Sequence, residues 1–186
     1  MKILHLDTSV QGDNSASRRI SAEIVRTLVA QNPDAEVTYH DLAASPLAHL
    51  TLPEFGAEAS ITALGEFLAA DAIVIGTGMY NFTIPSQLKA WVDRILIAGK
   101  TFRYTETGPE GLAGGKRVIV ALARGGYYGE GSPAAGLEHA ETYLRGVFAF
   151  IGLPAIEVIN VDGMAIPDAR ESAIANAEQR AGALAA

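Results

Sequence analysis

The residue types best placed to do chemistry lie between 76 and 95, GTGMYNFTIPSQLKAWVDRI. Met79, Tyr80, Asn81 and Phe82 set a thioether, a phenol, an amide and a phenyl ring side by side, with no charge among them. Such a loop suits a flat, neutral ring with polar edges better than a phosphate or a metal, and we read it as a flavin-holding loop. Its flanks say where it sits. The apolar run Ala72, Ile73, Val74, Ile75 reads as a buried strand ending at Gly76. Pro85, whose fixed φ suits a first helical turn, opens a segment with Leu88, Trp91, Val92 and Ile95 at helical spacing. The loop therefore lies at the carboxyl end of a strand, where open α/β sheets place their ligands.

A second polar loop spans 8–17 and carries Ser9, Ser15 and Ser17 just before a helical stripe of Ile20, Ile24, Val25, Leu28 and Val29. It has neither GxGxxG nor GK[ST], so the dinucleotide and Walker fingerprints are absent. Three hydroxyls beside free helix amides make an anion site that fits a phosphate monoester. Ser15 or Ser17 acting only as a helix cap is the competing reading. A third loop, 123–131, reads ARGGYYGEG, letting backbone approach a ligand while tyrosines line it.

The elements that must position these loops alternate. Strands are expected at 2–6, 35–40, 72–75, 117–122 and 155–161. Helices lie between them, including a stripe of Ile61, Leu64, Phe67 and Leu68, another of Leu137, Leu144, Val147, Phe148 and Ile151, and a last helix from about Pro167 to the chain end. This predicts one α/β unit over 1–186, a three-layer sandwich with a five-stranded parallel sheet and helices on both faces. In the flavodoxin-like strand order the three polar loops are neighbours. The segment 99–115 has no periodicity and is too long for a plain connection.

Composition narrows the function. A net charge of −7 argues against a nucleic-acid or membrane-surface binder. The absence of Cys removes disulfides, Cys–Zn sites, Fe–S clusters and thiol redox chemistry. The apolar runs are short and the first is broken by Asp7, so a cytoplasmic protein is expected. His5, His40, His49 and His139 have no ligand spacing, and no metal is expected.

The chain resembles the FMN-dependent NADH azoreductase and quinone reductase family, which has the flavodoxin-like fold. The likeness rests on 79–85 (MYNFTIP), 101–106 (TFRYTE), 108–111 (GPEG), 124–126 (RGG), Ser9 and 15–17 (SAS). It implies that Ser9, Ser15, Ala16 and Ser17 hold the FMN phosphate. It implies further that Met79, Tyr80, Asn81 and Phe82, with Ala123, Arg124, Gly125 and Gly126, edge the isoalloxazine. NADH would be the donor, a quinone or azo compound the acceptor in a ping-pong cycle, and a homodimer the assembly. Phe82, Phe102, Tyr104, Tyr127 and Phe150 are the candidates to wall the acceptor space; Phe150, in the last turn of an apolar helix, fits core packing as well. An electron carrier of the flavodoxin type remains the alternative.

Overall fold

The computed structural model of the chain describes residues 1–184. Five parallel strands, β1 (Lys2–Asp7), β2 (Glu36–Asp41), β3 (Ala72–Gly78), β6 (Arg117–Ala123) and β7 (Glu157–Val161), form one sheet in the order β2-β1-β3-β6-β7. Between β3 and β6 the chain makes a separate antiparallel hairpin, β4 (Phe102–Thr105) with β5 (Gly108–Gly111). Helices α1 (Ala16–Gln31), α2 (Glu58–Ala69), α3 (Ser86–Ile95), α4 (Ala140–Phe150) and α5 (Pro167–Gly182) supply the outer layers.

Side chains alternate across a strand, so each strand feeds two cores. Ile3, Val74, Ile119 and Ala121 pack under Ile20, Ile24 and Leu28 of α1 and Ile174 and Ala177 of α5. Leu4, Ile73, Ile75, Val118 and Val120 pack under Phe67 of α2, Leu88 and Trp91 of α3, and Leu144 and Phe148 of α4. The central strands β3 and β6 are apolar on both faces and almost wholly buried, as parallel strands covered by helices must be. The expected five-stranded parallel sandwich is what the chain adopts.

Four details depart from the expectation. The hairpin β4–β5 occupies what read as an aperiodic stretch, because Pro109 and two glycines hide the alternation of a strand. β1 continues through Asp7 rather than ending before it, since Ser21 and Tyr39 satisfy the Asp7 carboxylate inside the fold. Of the α2 stripe, Phe67 alone is fully buried, while Ile61 and Leu68 face outward. Leu137 lies in a 3-10 turn ahead of α4, and the last helix stops at Gly182.

The hairpin is docked by main chain as well as by the buried ring of Phe102. A Cβ on Gly111 would stand 2.1 Å from the amide nitrogen of Gly152, just after α4, so only glycine fits. Ala113 N–H donates to Ile151 C=O at 2.9 Å on the same seam.

Candidate functional site

The loops after β1, β3 and β6 converge as the strand order requires. Gln11, Ser15, Ala16, Gly78, Met79, Tyr80, Ala123, Arg124 and Gly125 line one cavity of about 170 Å³, with Met164, Ala165 and Arg170 closing it from the α5 side.

Its first wall is the start of α1. Ser15 is the N-cap, and its Oγ accepts from Arg18 N–H at 3.3 Å. Ser17 is fully buried and its Oγ lies 3.0 Å from that of Ser15, so the second hydroxyl supports the first rather than facing the cavity. Both sequence readings of these serines meet here. The cap uses the Ser15 oxygen, while the amides of Ala16 and Ser17 have no acceptor among the described residues and remain available to an anion. Ser9, buried beside them, stands 3.3 Å from the Tyr80 hydroxyl, which also accepts from Val10 N–H at 3.3 Å.

The loop is held from beneath. Arg18 donates from Nε and Nη2 to Ser9 C=O at 3.2 and 2.8 Å, and makes two 2.7 Å bonds to Asp41. The hydrogen bond from Arg18 is the main reason the Asp41 carboxyl lies below its ordinary pKa. Under β1, Ser21 Oγ donates to Asp7 at 2.7 Å and meets His5 Nε2 at 3.0 Å. A Cβ at Gly76 would lie 2.1 Å from the Asp7 carboxylate, so this buried network dictates the glycine that ends the apolar part of β3.

The second wall is the loop after β3. Tyr80 N–H donates to Thr83 C=O at 2.9 Å and Thr83 N–H returns at 3.1 Å, closing a two-residue turn. Its central residues, Asn81 and Phe82, have φ of +47° and +72°. That is the left-handed region, tolerable for Asn and costing a phenylalanine about 1 kcal/mol or more. His139 N–H binds Phe82 C=O at 2.9 Å, and the Phe82 and Tyr128 rings meet edge to face at 6.4 Å. Strain sustained this way is characteristic of functional loops.

The third wall is 123–126. Arg124 points away from the cavity: its guanidinium is buried on Asp162, and what faces inward is backbone. Met79 N–H donates to Ala123 C=O at 2.8 Å, locking the two loops together. The amides of Gly125 and Gly126 have no acceptor among the described residues.

The aromatic candidates divide. Phe82 stands at the loop, 43% exposed. Phe102 is buried between Phe150, 4.7 Å between ring centroids, and Tyr104, 5.5 Å, so these three form one group at the hairpin and none lines the cavity. Tyr127 lies over α5, near Asn160, Asp162 and Arg180. Gln11, Arg18, Met164 and Arg170 were not singled out by sequence reasoning. No group of His, Asp and Glu that could hold a metal exists among the described residues, and no helix among them is long and apolar enough to cross a membrane.

A family model described as flavodoxin-like fold matches residues 1–185. The chain belongs to this family. Over the full length of both chains it is 55% identical to the FMN-dependent NADH:quinone oxidoreductase 2 of Bradyrhizobium diazoefficiens. It is 52% identical to the FMN-dependent NADH:quinone oxidoreductase of Xanthomonas campestris pv. campestris, over 99% of each. Among solved structures it is similar to an azoreductase from Bacillus anthracis str. Sterne, with a TM-score of 0.88, 28% identity, and 98% and 97% of the two chains covered.

Proposed function

We propose that this protein is an FMN-dependent NADH:quinone oxidoreductase that also accepts azo compounds. The carrying observation is the convergence of 15–16, 78–80 and 123–125 on one cavity, in a chain whose full-length relatives bear that name. Bound FMN supplies the hydride chemistry, being reduced by NADH and reoxidised by the acceptor.

The residues present fit that group. The cap of α1 offers Ser15 Oγ, two free amides and the positive end of a helix dipole to a phosphate. The uncharged loop 79–82 and the free amides of Gly125 and Gly126 offer edge and backbone donors to a neutral ring. A cavity of 170 Å³ holds part of a flavin nucleotide, not the whole. The ring face is therefore left to be covered from outside, with Phe82, two residues beyond the cavity-lining Tyr80, the exposed aromatic of that loop able to do so from within the subunit. The protein's share of catalysis is orientation and fixed dipoles, since no general acid or base is required of it.

A second copy supplies the cover in this reading. Tyr104 is 75% exposed on the hairpin. Phe55, Ile61, Leu64, Leu68 and Ile97 line an apolar groove of about 390 Å³ whose chain runs on into the hairpin. Exposed apolar surface of this kind marks an interface, and a two-fold contact would set each hairpin beside the other subunit's flavin. One enclosed space cannot hold NADH and quinone together, so the cycle is ping-pong.

The test is anaerobic spectroscopy of the FMN-loaded protein. NADH should bleach the flavin band and benzoquinone restore it, with parallel double-reciprocal plots in the steady state. A flavin that stays oxidised under NADH would sink the enzyme reading and leave an electron carrier. Intersecting lines would sink the ping-pong order alone.

A further inference from the structure

Arg170 stands where a cation should not. It lies in the first turn of α5 and its Nη2 donates to Asn14 C=O at 2.8 Å, next to the N-cap of α1. It is thus set against the positive ends of two helix dipoles. Among the described residues, every arginine except Arg170 and Arg180 has a carboxylate within 4.0 Å. Among the described residues Arg170 has only the Asn14 carbonyl and, at 3.8 Å from Nη1, the sulfur of Met164, and its Nε–H has no acceptor. It is half-buried, and it lines the cavity that also contains Ser15 and Ala16.

These facts share one resolution. A guanidinium beside two helix N-termini and two unused amides is repelled by its surroundings until an anion sits among them. We infer that Arg170 is a specificity residue for the phosphorylated form of the flavin, its charge and free N–H groups completing the anion site begun by Ser15, Ala16 and Ser17. The inference rests on the flavin reading above. It deepens that reading by assigning discrimination between FMN and riboflavin to a residue of α5, more than 150 positions from the serine loop. The arrangement also answers an electrostatic difficulty: a chain of net charge −7 with Asp7 and Asp41 under the loop must attract a dianion.

Flavin fluorescence titration of the full chain tests it, with FMN and riboflavin as probes. Arg170→Gln should weaken FMN roughly tenfold while changing riboflavin by less than about twofold. Arg170→Lys, which keeps the charge and loses the fork, should fall between the two and guards against a Gln variant that does not fold. The difference between wild type and Arg170→Gln should also narrow as salt is raised. Equal weakening of both flavins would show a merely structural role, and unchanged FMN affinity would show none; either overturns the inference while leaving the flavin reading intact. Wild-type protein that binds no FMN overturns both.

Discussion

Arg124 and Asp162 join the carboxyl ends of β6 and β7 through two hydrogen bonds, Nε to Oδ1 at 2.6 Å and Nη2 to Oδ2 at 2.9 Å. The arginine is 3% exposed, and Glu141 on α4 stands 3.7 Å from its remaining nitrogen. Its backbone meanwhile forms part of the cavity wall. A buried charge stripped of its partner is far costlier than a pair that was never made. Asp162→Ala should therefore lower stability by about 3 kcal/mol, the nearby Glu141 keeping the loss at the lower end of the expected range. Urea unfolding measures this, and a loss below about 1 kcal/mol would mean that water or Glu141 replaces the aspartate.

The turn at Asn81 and Phe82 invites a comparison of two truncations. Phe82→Gly and Phe82→Ala remove the same ring, but only alanine must hold a Cβ at φ +72°. The glycine variant should be the more stable by about 1 kcal/mol, the reverse of their order in ordinary backbone. Thermal melts of the two proteins side by side decide it. Both variants should lose quinone turnover through the missing ring.

Acid should loosen the serine loop through Asp41. Folding lowers this carboxyl's pKa, chiefly through the bond from Arg18, so the pair stabilises the fold above the unfolded carboxylate's value near 4 and less as pH falls through the lower folded value. Asp41→Asn should cost about 1 kcal/mol at pH 7, for a partly exposed pair. It should also flatten the acid limb of the stability profile. Denaturant melts from pH 3 to 7 would expose an unchanged acid limb, which would exclude Asp41 as the titrating group.

If the hairpin serves the neighbouring subunit, Tyr104 acts in trans. A Tyr104→Ala chain mixed with a chain unable to bind FMN should recover activity, about half that of wild type per hybrid dimer, because one site keeps both intact parts. Subunits that demonstrably exchange without recovering activity would show that Tyr104 does not act in trans.

What the sequence revealed follows from how local each signal is. The strands and helices of the sandwich show plainly, because runs such as 72–75 and stripes such as Ile20, Ile24 and Leu28 carry their own period. The three loops were equally visible, being polar interruptions at strand ends. The hairpin was not, since GPEG resembles a turn more than a strand. Nor did anything mark Phe82 for a left-handed conformation that turn chemistry would give to glycine. Ile61 and Leu68 match the helical period and mark α2 rightly, but the period gives no sign of whether the surface covering them belongs to the same chain. Arg170 was invisible for the plainest reason: an arginine in a first helical turn means nothing until folding carries it to Asn14.

The glycine seam between Gly111 and Gly152 separates position from identity at the hairpin. Backbone lies directly on backbone there, so the height and tilt of β4 and β5 above the sheet are set without reference to their outward side chains. Arg103, Tyr104 and Glu110, all exposed, can be exchanged while the strands that carry them stay in place. A lineage can thus retune the surface this hairpin presents by single substitutions, each tried on an unmoved scaffold. Replacement of Gly111 itself would shift every one of those side chains at once.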